Sequence, residues 1–495
     1  MVRLRRPLLA TVAGGAAATL LAGCFSAAAP AGSDDRLRLA MLQPPRSALS
    51  PFSDDAFKLS RWSTAETLVT LDDLGEAQPA LATAWNRMNE RTWSFDLRPD
   101  VRFHDGSALT PDAVVTMLSA ATAAAPKPRI LDGVELTADV VDEDTVAVTT
   151  ATPDPLVPQR LSSPQLAVLA PAAYTGDGPV DPIGHGTGPF VLTAVNGTST
   201  ATLDRNDDYW GEPARLAGID VDFVPDGTAR AAALRGGTAD VVEAVPVSQA
   251  ASVDPALVHE VPMPRTNTLY LNNRTGVFTD PALRAAARES VDAARIVDQV
   301  YEGRADVARG LLGPAIPWSA DRPSRTPAPA GDAAGQRITL ATFTDRAELP
   351  EVAVLLQQAL EARGFVVEQV VREYQFIEAD ALAGAFDAFV LSRATVLDSG
   401  DPAAYLYSDF ACDGSFGIAQ FCDPAVDRAL ADAAATEPGP ARRSAVLEAE
   451  RLILERDAAV PMLHERVIQG ESSRVSGVVR DPRERALITA DTALS

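Results

Sequence analysis

Residues 337–343 read RITLATF, and they open the stretch that decides the fold. This short apolar run has the character of a strand, and LPEVAVLLQQALEAR (349–363) places apolar residues at helical spacing. Gly364 is suited to end the helix because glycine adopts the left-handed conformation without a steric penalty. FVVEQVV (365–371) then returns as a strand. The pattern predicts two parallel strands joined through a helix by a right-handed crossover.

The same alternation continues for one more strand. FIEADALAGA (376–385) predicts a second helix, and FDAFVLS (386–392) predicts a third strand. Ligands of open α/β sheets bind beyond the carboxyl ends of the strands. VLDSGDP (396–402) falls at such an end, so a carboxylate of this stretch is a candidate ligand group. The alternative is a simple turn, since Ser, Gly, Pro and Asp all favour turns.

The remainder of the chain also mixes strands and helices. TWSFDLRPDVRFHDG (92–106) alternates apolar and polar residues, as a half-buried antiparallel sheet does. DPALRAAARESVDAARIVDQVY (280–301) predicts a helix with Asp280 as its N-cap and Pro281 in its first turn. We therefore predict a mixed α/β fold with two lobes.

Composition limits the class of protein. The chain has 495 residues, 46% of them hydrophobic, and a formal net charge of −24. That length is sufficient for two or more hydrophobic cores. The negative charge opposes binding to nucleic acid or to an anionic lipid surface, so we expect no nucleic-acid partner.

The N-terminus indicates export. Arg3, Arg5 and Arg6 precede an apolar run (8–21) that ends in LAGC (21–24), which predicts a signal peptide over residues 1–23. LAGC resembles the lipobox of bacterial lipoproteins, which implies lipidation of Cys24 and a flexible tether over residues 24–35. A chance cysteine in an ordinary signal is the alternative. The general secretory route and twin-arginine export both remain open.

The other two cysteines, Cys412 and Cys422, lie close together in sequence. An even pair in an oxidising compartment favours a local disulfide. A metal site is the alternative, but neither cysteine has a histidine beside it.

No catalytic constellation can be assembled from the sequence. The four histidines, His104, His185, His259 and His464, are scattered, and the chain contains no G-x-S-x-G, Walker A or H-E-x-x-H motif. GHGTG (184–188) lacks a lysine and runs into a strand, so we interpret it as a structural turn. We expect no enzyme activity, no cofactor and no metal ligand set.

Several motifs in fixed order carry a family resemblance. FHDG (103–106) is followed by LTPD at 109–112, RNDDYWG spans 205–211, and YLNNRTGVFTDPAL begins at Tyr270. Together with the unit around residues 337–402, these resemble the family 5 extracellular solute-binding proteins of ABC importers. That family includes binding proteins for oligopeptides, dipeptides and nickel.

The resemblance implies a two-lobed, hinged fold of the periplasmic-binding-protein type II, with an extra subdomain in the first lobe. The first lobe would comprise residues 36–266 and 463–495, and the second residues 267–462. The implied protein is a monomer held by lipid on the outer face of the membrane. It would deliver short peptides with a free amino terminus to an ABC permease. Rival ligands are a nickel chelate, an opine, a sugar or another amine, and rival classes are an exported enzyme or a surface interaction protein.

The resemblance also implies a role for Asp398, which matches the family aspartate that pairs with the α-ammonium of a bound peptide. The Gly-Trp pair usual before that aspartate is absent, since Ala394 and Thr395 stand nearby. Asp401 is expected to cap the turn and the next helix. The other candidate ligand-binding residues are Arg393, Tyr405, Asn267, Tyr270 and Asn272.

Overall fold

The computed structural model describes residues 35–174, 179–396 and 399–495. Its strands are β1 Arg36–Met41, β2 Val69–Leu71, β3 Ala77–Pro79, β4 Ala82–Arg87, β5 Thr92–Leu97, β6 Leu136–Val140, β7 Thr145–Thr150, β8 Phe190–Asn196, β9 Thr200–Arg205, β10 Gly218–Phe223, β11 Val241–Val242, β12 Val258–Leu271, β13 Ala305–Val307, β14 Arg337–Phe343, β15 Val366–Arg372, β16 Ala388–Ala394, β17 Ala459–Glu471, β18 Val475–Ser476 and β19 Ala493–Leu494. Its α-helices are α1 Ala56–Arg61, α2 Pro111–Ala123, α3 Val157–Arg160, α4 Gly227–Arg235, α5 Val247–Ala250, α6 Pro281–Ser290, α7 Ala293–Val300, α8 Glu348–Arg363, α9 Tyr374–Leu382, α10 Ala403–Phe410, α11 Pro424–Ala435 and α12 Pro440–Glu455. No helix within these three ranges has the length and apolar character needed to cross a membrane. The predicted signal peptide, Cys24 and all of the predicted tether except Asp35 lie outside the described residues.

The main sheet runs through most of the chain. Its described strands follow the order β15-β14-β16-β12-β17-β11-β1-β10-β9-β8, and β13 pairs with β17 beside this path. The strands β12 and β17 lie in the middle, and each continues across a predicted lobe boundary. They pair antiparallel, with Asn267 opposite Leu463. The predicted crossings between lobes therefore fall on two neighbouring strands.

The unit that opens at Arg337 has the predicted topology. The strand β14 pairs in parallel with β15 and with β16. The helix α8 ends at Gly364, which has φ of 113° and a left-handed conformation. A residue with a Cβ would be strained in that conformation, so this glycine fixes where the helix stops.

The predicted helix over residues 280–301 is wrong in one respect, because the structure has two helices there. Asp280 caps α6 by accepting a hydrogen bond from the Ala282 amide at 2.8 Å. Asp292 then accepts from the Arg295 amide at 3.0 Å and starts α7. An aspartate that caps a second helix interrupts the first, and the apolar spacing alone does not reveal this.

The predicted antiparallel sheet of the N-terminal half is confirmed for Thr92–Leu97. This strand, β5, lies between β4 and β7 in a four-stranded sheet, and its residues alternate between buried and partly buried. The following residues do not continue the strand. Arg102 and Ala108 form only an isolated bridge, which closes the FHDG turn before α2.

Glycines of the GHGTG stretch allow two backbone segments to approach closely. A Cβ at Gly186 would lie 1.9 Å from the carbonyl oxygen of Thr64, and a Cβ at Gly188 would lie 1.9 Å from that of Ser63. Any side chain here would force the segments apart. The structure therefore supports the interpretation of this stretch as a structural turn.

The RNDDYWG motif anchors a buried carboxylate. Glu66 accepts hydrogen bonds from the Tyr209 hydroxyl at 3.0 Å, the Trp210 indole at 2.9 Å and the Thr187 hydroxyl at 2.8 Å. Burial raises the pKa of Glu66, although these donors and Arg98 oppose the rise. The motif thus has a structural role.

The hydrophobic cores follow the chain order. The largest core draws its buried residues from 269–463, and a second draws its buried residues from 68–170. Two further cores join β1 to later segments of the chain. This distribution agrees with the proposed lobes, whose boundaries stay a prediction.

His464 is a buried neutral histidine on β17. The Thr266 hydroxyl donates its proton to the Leu311 carbonyl at 2.6 Å. The same hydroxyl oxygen lies 2.9 Å from His464 Nδ1, so His464 must carry a proton on Nδ1 and donate it to Thr266. Burial is the largest cause that lowers the pKa of His464, to about 4, and the nearby charge of Arg322 adds to it. The histidine therefore favours the folded state only while it is neutral.

Acidification is expected to destabilise the protein through His464. The unfolded chain takes up the proton near pH 6.5 and the folded chain only near pH 4, so stability is lost as the pH falls between these values. The loss is about 3 kcal/mol at pH 4. Urea unfolding at pH 7 and pH 4 should show that much less acid sensitivity in His464→Gln than in the wild type. His185→Gln is the control, and equal acid sensitivity in both variants would contradict the assignment.

Candidate functional site

A cavity of about 880 Å³ is the candidate site. One wall comes from the end of β1, from α1 and from residues 243–248. The opposite wall comes from residues 299–302 and from the start of α8. The strands β12 and β17 form its floor between the walls. Residues on both sides of the predicted lobe boundaries therefore enclose this space.

Arg61 organises the charges of the first wall. It forms ion pairs with Glu243 and Glu484. Burial alone would lower the pKa of Arg61, but these carboxylates raise it above its ordinary value. Glu243 also accepts a hydrogen bond from the Leu42 amide at 2.8 Å, which fixes the carboxylate beside β1. This wall therefore presents the positive Arg61 and the negative Glu243 and Glu484 to the cavity.

Arg346 organises the opposite wall. It donates to Glu348 at 2.8 Å, to Glu465 at 2.6 Å and to the Ser392 hydroxyl at 3.2 Å. Burial alone would lower the pKa of this guanidinium, but the two carboxylates raise it well above its ordinary value. Arg346 thus ties the start of α8 to β17 and to the end of β16.

The structure brings three of the predicted site residues together away from the cavity wall. Arg393 pairs with Asp409 at 2.9 Å, and its guanidinium lies near the rings of Tyr405 and Phe416. The Tyr270 hydroxyl donates to the same Asp409 at 3.1 Å. Burial raises the pKa of Asp409, whereas Arg393 opposes that rise. The sequence does not identify Asp409 as the partner of Arg393. The two residues lie on different elements, β16 and α10, and they meet only in the folded structure.

The two predicted asparagines make contacts within the protein. Asn272 donates to the carbonyl oxygens of Gly384 at 3.0 Å and Phe386 at 3.2 Å. Asn267 is fully buried and donates to the Tyr301 hydroxyl at 3.1 Å, and Tyr301 itself lines the cavity. Direct ligand contacts of Arg393, Tyr405, Tyr270, Asn272 and Asn267 stay predictions, and their burial and internal contacts favour structural roles.

Asp398 lies outside the described residues, but the turn around it is partly described. Asp401 accepts from the Ala403 amide at 2.8 Å and so closes the turn before α10, but the N-cap position of that helix is Pro402. Asp401 also pairs with Arg442 at 2.5 Å. The sulfur atoms of Cys412 and Cys422 lie at bonding distance, 2.02 Å, and close the segment after α10.

The sequence did not single out the charged residues of the cavity. Arg61, Glu243, Arg346 and Glu465 carry no motif, and they meet only through long-range contacts. One local signal was available, since Glu465 belongs to the polar triplet His464–Arg466 that follows the apolar start of β17. The three ranges that the structure describes contain no cluster of three or more histidine, cysteine or carboxylate groups arranged to hold a metal ion.

The amino-acid sequence is similar to a known family of binding proteins. Residues 76–417 match the family described as bacterial extracellular solute-binding proteins, family 5 Middle. The chain is 26% identical over 319 residues to the probable ABC transporter periplasmic-binding protein SapA of Escherichia coli K12, covering 60% of this chain and 57% of that protein. It is also 26% identical over 321 residues to the probable di/tripeptide-binding protein 5 of Pseudomonas aeruginosa, covering 60% of this chain and 59% of that protein.

The fold matches solved structures over more of the chain. The crystal structure of a nickel ABC transporter from Bacillus halodurans superimposes with a TM-score of 0.80 at 23% identity, covering 93% of this chain and 100% of that one. This likeness confirms the predicted fold class.

Proposed function

The chain belongs to family 5 of the bacterial extracellular solute-binding proteins, and from this premise we propose that it captures short peptides outside the cytoplasm for an ABC importer. The observation that carries the proposal is the cavity of about 880 Å³ between two groups of segments. Small-molecule sites commonly enclose about 300 to 1,000 Å³, so its size suits a small solute. The protein acts by binding and delivery to a membrane permease, without catalysis.

The charges of the cavity favour a ligand with both signs of charge. Arg265 of β12 lines the cavity and has no ion-pair partner among residues 35–174, 179–396 and 399–495. Glu465 lines it from β17. Fixed charges in a space that excludes water select ligands whose charges complement them. A peptide with a free amino terminus and a free carboxylate meets this requirement.

A lipid anchor completes the proposal. We propose that residues 1–23 are removed, that Cys24 carries the lipid, and that the folded chain works as a monomer on the outer face of the membrane. The support is the sequence alone, namely the basic, apolar and LAGC segments in that order. Substitution of Cys24 should then release the protein from the membrane fraction.

A nickel chelate is the second candidate ligand. It is favoured by the solved structure from Bacillus halodurans, which is described as a nickel ABC transporter. Since the described part of the chain offers no ready-made metal cluster, nickel would have to arrive inside a small chelator such as histidine.

Thermal unfolding separates these candidates. A mixture of dipeptides to pentapeptides should raise the melting temperature, because a ligand at one hundred times its Kd adds about 2.7 kcal/mol of stability. Asp398→Asn should reduce that shift to near zero, since it removes the proposed partner of the peptide ammonium. Asp401→Asn is the control, and it should keep the shift while lowering the melting temperature of the ligand-free protein.

Two results would change the proposed ligand or the way it is bound. An unchanged shift in Asp398→Asn would remove the ammonium pairing but leave peptide binding. Stabilisation by nickel with histidine, without any by peptides, would replace the peptide with the chelate.

A further inference from the structure

Glu465 has one carboxylate oxygen without a partner at the cavity. The residue is only 3% exposed, and it lies on β17 among the cavity-lining side chains. Its Oε2 accepts from Arg346 at 2.6 Å, whereas Oε1 has no hydrogen-bond partner within the described ranges. A buried carboxylate oxygen that stays unpaired is costly, so native proteins seldom retain one without a use.

Arg346 alone does not balance the negative charge of the carboxylates around it. The same guanidinium is shared with Glu348 at 2.8 Å. Glu302 and Glu351 line the same side of the cavity. Glu465, Glu348, Glu302 and Glu351 therefore lie on the Arg346 side of the cavity, whereas Arg265 and Arg466 line it from β12 and β17. The open oxygen of Glu465 marks the position where a positive charge of the solute would bind.

Tyr301 supports the same position as a neutral donor. It accepts the hydrogen bond from Asn267 at 3.1 Å, which leaves its own proton available to the cavity. Burial, together with the charges of Glu465 and Glu348, raises the pKa of Tyr301 well above its ordinary value, so the hydroxyl stays protonated. Tyr301 thus offers a donor to the same cavity that Glu465 lines.

We propose that Glu465 Oε1 accepts a hydrogen bond from a positively charged group of the solute, and that the cavity therefore prefers peptides with a basic side chain. Arg346 is the positioning residue, because it holds Glu465 Oε2 and leaves Oε1 free. This inference rests on the proposed peptide function and specifies its ligand class. Charge-assisted hydrogen bonds are strong enough to change affinity by about 10- to 100-fold.

Two matched peptides test the preference. Ala-Lys-Ala carries the ammonium, and Ala-norleucine-Ala has nearly the same side chain without it. Titration calorimetry should show about 10- to 100-fold tighter binding of the lysine peptide by the wild type. Glu465→Gln should bring the two affinities within about threefold, because the amide keeps the shape and can still accept from Arg346. Glu368→Gln is the matched control, because Glu368 is exposed on β15 outside the cavity, and it should retain the preference.

Each outcome decides the proposal. An equal preference in Glu465→Gln and in the wild type would overturn it while leaving peptide binding intact. A wild type that binds both peptides equally would overturn it without any variant, so a misfolded Glu465→Gln cannot hide the result.

If the wild type binds neither peptide, the proposed function fails, and lysine, cadaverine and agmatine become the probes. An amine bound by the wild type and lost in Glu465→Gln would uphold the Glu465 site. The absence of any amine binding would overturn it.

Discussion

Asp409→Ala is expected to lower the free energy of unfolding by about 3 to 5 kcal/mol. The Asp409 side chain is 0% exposed and pairs with Arg393 at 2.9 Å. Its removal leaves the guanidinium in a partly buried position without this carboxylate, and it leaves the Tyr270 hydroxyl without its acceptor. Breaking a buried pair on one side is costly because the remaining charge keeps its desolvation penalty. Urea unfolding monitored by tryptophan fluorescence measures the change.

Asp413→Ala provides the control for that prediction. Asp413 lies in the exposed turn after α10 and accepts a hydrogen bond from the Tyr407 hydroxyl at 2.7 Å. Surface changes of this type usually alter stability by about 0.5 kcal/mol or less. If Asp409→Ala were no more destabilising than Asp413→Ala, the contact between Arg393 and Asp409 would not hold this region together. Arg393 would then be available to a ligand carboxylate.

Local patterns were sufficient to predict the unit around β14. The apolar spacing of α8, the left-handed Gly364 and the strands on either side all lie within residues 337–372, where propensity and capping dominate. The same local logic predicts a turn contact for Asp401, which accepts from the Ala403 amide just after Pro402. The break between α6 and α7 was missed because Asp292 fits a helix surface as well as a cap.

The cavity was beyond the reach of such patterns. Arg346 and Glu465 are 119 residues apart, and they meet only because β17 returns beside β12 in the centre of the sheet. Periodicity places Glu465 on a strand but does not identify which strand or helix it faces. The family resemblance directed attention to Arg393, whereas the structure supplies Asp409 as its partner. Charge pairing of this kind depends on tertiary packing, which a single sequence does not reveal.

Met263→Trp is expected to reduce solute binding by more than about 100-fold, because the larger ring enters the space that the solute needs. Met263 is half-buried and lines the cavity from β12. It has no part in the ion pairs of Arg346 or Arg61, so the charges of both walls should survive the change. Native mass spectrometry after incubation with a mixture of dipeptides to pentapeptides measures the bound fraction. Val371→Trp is the control, since it places the same ring on the exposed side of β15 outside the cavity.

That native mass measurement tests most directly whether this chain binds a small solute in the cavity between its two groups of segments. We expect one peptide bound per chain in the wild type and in Val371→Trp, and almost none in Met263→Trp. A wild type that carries no peptide, or a Met263→Trp variant that carries as much as the wild type, would contradict this expectation.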